Sequence, residues 1–173
     1  MILSLTGFMG VGKSTIATAL AKHLYCNHID LDIYIENLYK GQTIEELFRS
    51  IGEVKFREIE EKALEQLLLE NKEKVLVLSL GGGALISNKN RELILSHTKC
   101  IYLKASLETL NTRLEKSRKQ RPLVKQEEGL NLKETIYSLY NQREEGYNYC
   151  ASITIEVDHL TLKEILIKIL ASI

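Results

Sequence analysis

The sequence predicts an α/β fold: three layers, α/β/α, around a central, mainly parallel five-stranded sheet. Three observations predict it. Short apolar runs alternate with stretches of helical periodicity, the pattern of repeated strand–helix units. A glycine-rich loop stands between the first apolar run and the first amphipathic stretch. The 173 residues, 45% hydrophobic and 27% charged, suit one core, and no repeat, low-complexity tract or linker divides them, so a single domain over 1–173 is expected.

Ile2–Thr6 reads as a buried first strand. Ile16, Ala17, Leu20, Ala21 and Leu24 then recur at helical spacing. A short strand is expected to end at Asp30. Thr43–Phe48 and Glu53–Leu69 read as two helices, with Thr43 and Glu46 forming a capping box for the first. Val75–Leu80 is a strand that runs into Gly81-Gly82-Gly83. Cys100–Leu103 is a strand, with a helix following at about Leu107–Glu115. Leu132, Ile136, Leu139, Tyr140, Arg143 and Tyr147 share one helical face. Ile153–Val157 is the last strand, and the apolar positions from Leu162 to Ile173 mark a closing amphipathic helix. The segment at about 115–129, EKSRKQRPLVKQEEG, has no apolar face. Pro122, the only proline, biases Arg121 away from helical backbone. Composition allows either a mobile lid or a solvated surface loop there.

The 23 basic and 23 acidic residues cancel, so no global field attracts nucleic acid or an anionic membrane, and neither is expected as a partner. No apolar run approaches a membrane span, and the first is too short for a signal peptide. Cys26, Cys100 and Cys150 are odd in number and lack metal-ligand spacing, which predicts reduced structural thiols in a cytoplasmic protein.

Gly7-Phe8-Met9-Gly10-Val11-Gly12-Lys13-Ser14-Thr15 carries the phosphate-cradling pattern GxxxxGK[ST]. Glycines allow backbone N–H groups to face phosphate oxygens. The helix N-terminus adds positive potential, Lys13 reaches the β- and γ-phosphates, and the Ser14 hydroxyl ligates Mg²⁺. The loop predicts a nucleoside triphosphate site. A motor or remodelling ATPase needs an acidic residue after the run Val75–Leu78, and Ser79 stands there. A GTPase needs NKxD, which the chain lacks. In an extended segment Asp30 and Asp32 would point the same way, one toward the water shell of Mg²⁺ and the other toward an acceptor hydroxyl. They read equally as a helix cap and a surface aspartate.

With these residues in view, the chain resembles the shikimate kinase family over essentially its whole length. The likeness rests on GFMGVGKST, DLDIYIE, GQTIEELFRSIGEVKFREIE, VLSLGGGA, RPL and the late R-x-x-x-Y at Arg143 and Tyr147. The third run is the most specific. The resemblance implies a P-loop kinase fold with a lid near 115–129 and substrate-binding helices near 31–61. It implies Mg-dependent transfer of a phosphoryl group from ATP to the 3-hydroxyl of shikimate, in a monomer.

Residue by residue, the resemblance implies that Gly10, Val11, Gly12, Lys13, Ser14 and Thr15 hold the triphosphate. Arg113 would stack on the base, and Arg121 would swing in on the lid. Ser14, and Asp30 through water, would serve the metal, with Ser79 arranging its water shell. Asp32 would bind and poise the acceptor hydroxyl, with Lys13 and Arg121 as its partners in catalysis. Arg57 and Arg143 would grip the shikimate carboxylate, Glu60 would steady Arg57, and Gly82, between Gly81 and Gly83, would offer its backbone.

Taken without the family, Arg57 and Glu60 are also an ordinary pair one helical turn apart, and Arg121 is also a solvated charge. The triple glycine is also a plain turn, and Arg143, on an apolar stripe, could snorkel outward. The chain departs from the family at His28, commonly aromatic and expected here to fill a packing position. It departs at Glu144-Glu145-Gly146, where the family often has proline, so a looser helix end near Arg143 is expected. It departs again at His159-Leu160-Thr161, which does not reproduce the adenine loop. Another small P-loop kinase, or a non-catalytic nucleotide-binding regulator, is the alternative.

Overall fold

The computed structural model describes residues 1–118 and 131–173. Most of the expected lid, with Arg121 and Pro122, lies outside the described residues. Five strands form the centre: β1 (Ile2–Thr6), β2 (Asn27–Asp30), β3 (Leu76–Ser79), β4 (Lys99–Lys104) and β5 (Ile153–Glu156). Their order is β2-β3-β1-β4-β5, and every pairing among them is parallel. All residues of β1 and β3 are buried, whereas the edge strands β2 and β5 are partly open. A parallel sheet covered on both faces has this profile.

Right-handed crossovers set the layers. The chain leaves β1 through α1 (Lys13–His23) toward the β2 edge, then travels the other way for the rest of the sheet. The reversal puts α1 on one face, where α7 (Leu162–Leu170) joins it. On the opposite face lie α3 (Ile44–Asn71), α4 (Asn88–His97), α5 (Leu107–Arg118) and α6 (Leu132–Cys150), with α3 packed on α4, α4 on α6 and α6 on α5. The loops after β1 and β3 leave neighbouring strands toward opposite faces. That divergence opens a crevice at the strands' carboxyl ends, where sheets of this kind bind ligands.

Several elements differ from the sequence reading. α2 (Leu31–Leu38) starts directly after β2, because the Asp30 side chain accepts from the backbone N–H of Asp32 and Ile33 and caps it. Asp32 therefore sits in a helical first turn, not beside Asp30 on an extended strand. The two helices expected at 43–48 and 53–69 are both present within α3: the non-helical backbone of Gly52, φ 77°, ψ 167°, separates them. The capping box is as expected: Thr43 N donates to Glu46 at 2.8 Å and Glu46 N to Thr43 at 3.2 Å. The sequence reading missed α4, since only Asn90 and Ile94 of its residues are buried and the apolar stripe is too thin to register.

α6 is not loosened at Glu144-Glu145-Gly146; it continues unbroken to Cys150. Gly146 is what allows it. A β-carbon there would lie 2.5 Å from the Leu85 carbonyl oxygen, in the 3-10 turn Ala84–Ile86 under the helix. We expect Gly146→Ala to lower unfolding free energy by a net of up to about 2 kcal/mol, measured by urea denaturation. Displacing a backbone carbonyl costs about 1–3 kcal/mol, against the roughly 1 kcal/mol that alanine returns in helix propensity. All three cysteines are free thiols, with Cys100 and Cys150 buried and Cys26 half-buried.

Candidate active site

The loop Gly7–Gly12 needs its glycines for backbone conformation. Gly7 has φ 141° and Gly12 φ 104°, in the left-handed half of dihedral space. A β-carbon on Gly7 would also press to 2.5 Å from Leu103 O. Gly12 is the N-cap of α1 and carries no capping side chain, so the first N–H groups of that helix are turned to an anion site. Lys13 bends back over the loop and donates to Gly7 O at 2.8 Å and Phe8 O at 3.1 Å. Burial lowers its pKa to about 8, against the pull of Asp32 and Asp30. Gly10, Gly12, Lys13, Ser14 and Thr15 line a cavity of about 320 Å³ shared with Asp30, Asp32, Gly81 and Gly82. Val11 contributes backbone alone, since its side chain is core.

Asp30 does two jobs. One oxygen caps α2; the other accepts from Ser14 Oγ at 2.7 Å and from Ser79 Oγ at 2.8 Å. Asp30 is thus the helix cap, and both it and Asp32 line the cavity rather than the open surface. Asp32 is drawn to the cavity by the helical turn that Asp30 nucleates. Burial raises its pKa to about 6, with further repulsion from Asp30 and Glu60 and an opposing pull from Lys13. His28 is not simple packing. Its Nε2 bonds Ser79 Oγ at 2.9 Å and its Nδ1 bonds Thr18 Oγ1 at 3.1 Å, so it braces the serine that meets Asp30.

Beyond Asp32 lie the two arginines. Arg57 donates to Glu60 at 2.7 Å and to Glu53 at 3.3 Å, and its guanidinium lies 5.6 and 5.5 Å from the rings of Phe48 and Phe56. Glu60 is 1% exposed, so this is no surface ion pair; burial pushes its pKa up and Arg57 pulls it down. Arg143 does not snorkel outward. It stacks 5.7 Å over Phe8 of the glycine loop. Burial lowers its pKa, and the nearby Arg57 cation adds to that. The Nε–H of each arginine is buried without a hydrogen-bond partner among the described residues. Two half-buried cations with spare donors form a receptor for an anion.

The triple glycine serves space rather than dihedral freedom, because none of the three has a positive φ. A β-carbon on Gly81 would lie 2.7 Å from Asp32 Oδ1, and one on Gly83 2.5 Å from Arg57 Nη2. One on Gly82 would lie 3.6 Å from Arg143 Nη1 and 3.4 Å from Met9 N of the phosphate loop. The missing side chains of Gly81 and Gly83 make room for Asp32 and Arg57, whereas the contacts at Gly82 are of ordinary van der Waals length.

Arg113 stands apart, behind the phosphate loop. It donates to Val11 O at 2.9 Å and borders a second cavity with Ser106, Thr109 and His159. The sequence reading named His159 only within a departure from the adenine loop; its φ of 59° follows β5, and it shares this cavity with Arg113. Asp158 holds the cavity's rim by accepting from Ser106 N at 2.9 Å.

A switch GTPase or a motor has no use for two arginines set along the same glycine turn as a carboxylate that lines the phosphate cavity. Such an arrangement suits an enzyme that hands the phosphate to a bound acceptor, and fold and site together define a small-molecule kinase of the P-loop class. Comparison with known proteins narrows the class. The family model for shikimate kinase matches residues 9–173, and the chain belongs to that family.

The shikimate kinase of Chlorobium chlorochromatii is 41% identical over 162 residues, covering 91% of this chain and 82% of its own. A crystal structure of shikimate kinase from Bacteroides thetaiotaomicron superposes with a TM-score of 0.87 at 30% identity, over 99% of this chain and 97% of that one. Shikimate kinase from Acinetobacter baumannii, solved in complex with shikimate, gives 0.86 at 34% identity, over 98% and 90%.

Proposed function

We propose that this chain transfers the γ-phosphoryl group of ATP to the 3-hydroxyl of shikimate, releasing shikimate 3-phosphate and ADP. The observation that carries the reading is the pair Arg57 and Arg143, two half-buried cations whose Nε–H groups are buried without a partner among the described residues, next to a carboxylate of raised pKa. A small acceptor that bears a carboxylate at one end and hydroxyls at the other meets both demands. A nucleotide acceptor would require base-reading groups, and gluconate would have to satisfy the same cations with a longer, flexible chain.

In this mechanism the triphosphate lies along the Gly7–Gly12 loop, and Lys13 exchanges the carbonyls of Gly7 and Phe8 for phosphate oxygens. Ser14 and, through water, Asp30 are oxygen donors that fit Mg²⁺, with Ser79 ordering the water. The metal, when bound, neutralises triphosphate charge. Arg57 and Arg143 hold the acceptor carboxylate, Glu60 keeps Arg57 aimed, and the Gly82 backbone meets a hydroxyl. Asp32 orients the attacking hydroxyl and takes its proton as the γ-phosphoryl group moves in line. Arg121, carried on a lid near 115–129, neutralises the moving group as the lid excludes water. The base lies between Arg113 and His159. We read the chain as one domain, with its acceptor segment at about 31–61, working as a monomer in the cytoplasm.

The test is ATP consumption by the purified protein with Mg²⁺, offered shikimate, gluconate or a panel of nucleoside monophosphates. Turnover on shikimate alone is expected. Turnover on another acceptor instead would keep the phosphate site and overturn the acceptor.

A further inference from the structure

We propose that Tyr147 is a positioning residue that sets Gly82 and Arg143 in register to receive the acceptor. The proposal rests on the shikimate reading above and adds a residue to which that reading gave no role.

Tyr147 is 1% exposed and stands one turn after Arg143 on α6. Its hydroxyl donates to Gly82 O at 2.5 Å, a bond between residues 65 apart in sequence. Its ring packs on Tyr102 of β4, with centroids 5.3 Å apart, so the phenol is fixed at both ends. The Arg143 guanidinium adjoins the same place: its Nη1 is 3.6 Å from where a Gly82 β-carbon would be, and its charge draws the Tyr147 pKa down against burial. One hydroxyl therefore stands between the backbone turn that meets the acceptor hydroxyl and the cation that meets its carboxylate.

The bond has a geometric effect. Gly82 has no side chain to hold it, and its peptide can rotate. Anchoring its carbonyl to α6 fixes the plane of that peptide. The opposite edge of the Gly81–Gly82–Gly83 turn is then held toward Asp32 and the phosphate loop, 3.4 Å from Met9 N by the β-carbon measure. α6 is anchored to the same loop through Arg143 over Phe8 and through Tyr140, whose ring meets Phe8 edge-on at 5.6 Å. Deleting the Tyr147 hydroxyl frees the turn and leaves these aromatic anchors in place.

Tyr147→Phe keeps the ring and removes the hydroxyl. We expect its KM for shikimate to rise about 5–10-fold, the scale of one lost hydrogen bond. Its KM for ATP is expected to stay within about 2-fold, and its thermal midpoint close to the parent's. Calorimetry of shikimate binding without nucleotide is expected to show the same loss. An unchanged KM for shikimate overturns the proposal. So does a parallel rise in both KM values with a lowered midpoint, the mark of a merely structural role. Failure of the unaltered chain to turn over shikimate overturns the functional reading and this assignment with it. Turnover by the unaltered chain with an indifferent Tyr147→Phe overturns the assignment alone.

Discussion

Replacing Asp32 with asparagine is expected to lower kcat on shikimate by about 10²–10⁴-fold, the range for loss of a positioned general base, while ATP affinity stays within about 2-fold. The variant keeps size and hydrogen-bonding shape but cannot take a proton. The pH profile supplies a second readout. In the free enzyme the Asp32 pKa stands at about 6, so kcat/KM for shikimate should fall on an acid limb centred there. The limb should vanish in Asp32→Asn. Stability should move the opposite way. A carboxyl raised from 3.8 to about 6 binds its proton more tightly in the folded chain, so its contribution is full below pH 3.8 and is lost as pH rises through 6. Urea unfolding across pH 4–7 should show this fall in the parent and a flatter curve in Asp32→Asn. Near-normal turnover in Asp32→Asn would remove Asp32 from the base role.

Arg57→Ala is expected to raise the KM for shikimate about 10²-fold with little change for ATP, the effect of truncating one partner of a buried charged pair, about 2–5 kcal/mol. The same change strands Glu60, which is 1% exposed and would lose the cation that offsets its burial. Loss of affinity and loss of stability would then come together. The double variant Arg57→Met/Glu60→Gln separates them: it should recover much of the thermal midpoint and none of the affinity for shikimate. Recovered affinity in the double variant, or an unchanged KM in Arg57→Ala, would take Arg57 out of the acceptor site.

The sheet and the phosphate loop were legible because both rest on local rules. Apolar runs mark buried parallel strands, and the GxxxxGKS spacing encodes a backbone that only glycine adopts at Gly7 and Gly12. The Thr43–Glu46 cap was legible for the same reason. What the sequence hid was relational. Asp30 and Asp32 read either as an extended pair or as a helix cap and a surface aspartate, and only the bonds of Asp30 to the Asp32 N–H and to Ser79 show which of them caps. His28 gave no sign of its partners, since Thr18 and Ser79 are 10 and 51 residues away. Gly146 looked like a weak point in α6, and only the Leu85 carbonyl beneath it shows why a side chain is absent. Arg57 and Arg143 could be taken for surface charges until both were found half-buried against aromatic rings. Family resemblance carried those assignments where periodicity alone could not.

The phosphate loop leaves β1 and the triple glycine leaves β3, and these two strands are joined directly, with Leu5 level with Ser79 and Leu80 N donating to Leu5 O at 3.0 Å. The gap between donor and acceptor is therefore ruled off by a backbone ladder whose rung spacing, about 4.8 Å, is the same in every sheet. Side chains hold the reactants, but they do not set the scale. A chain that changed its acceptor could redraw the arginines and the helices while the spacing of the two loops stayed as it was, written into the least adjustable part of the molecule.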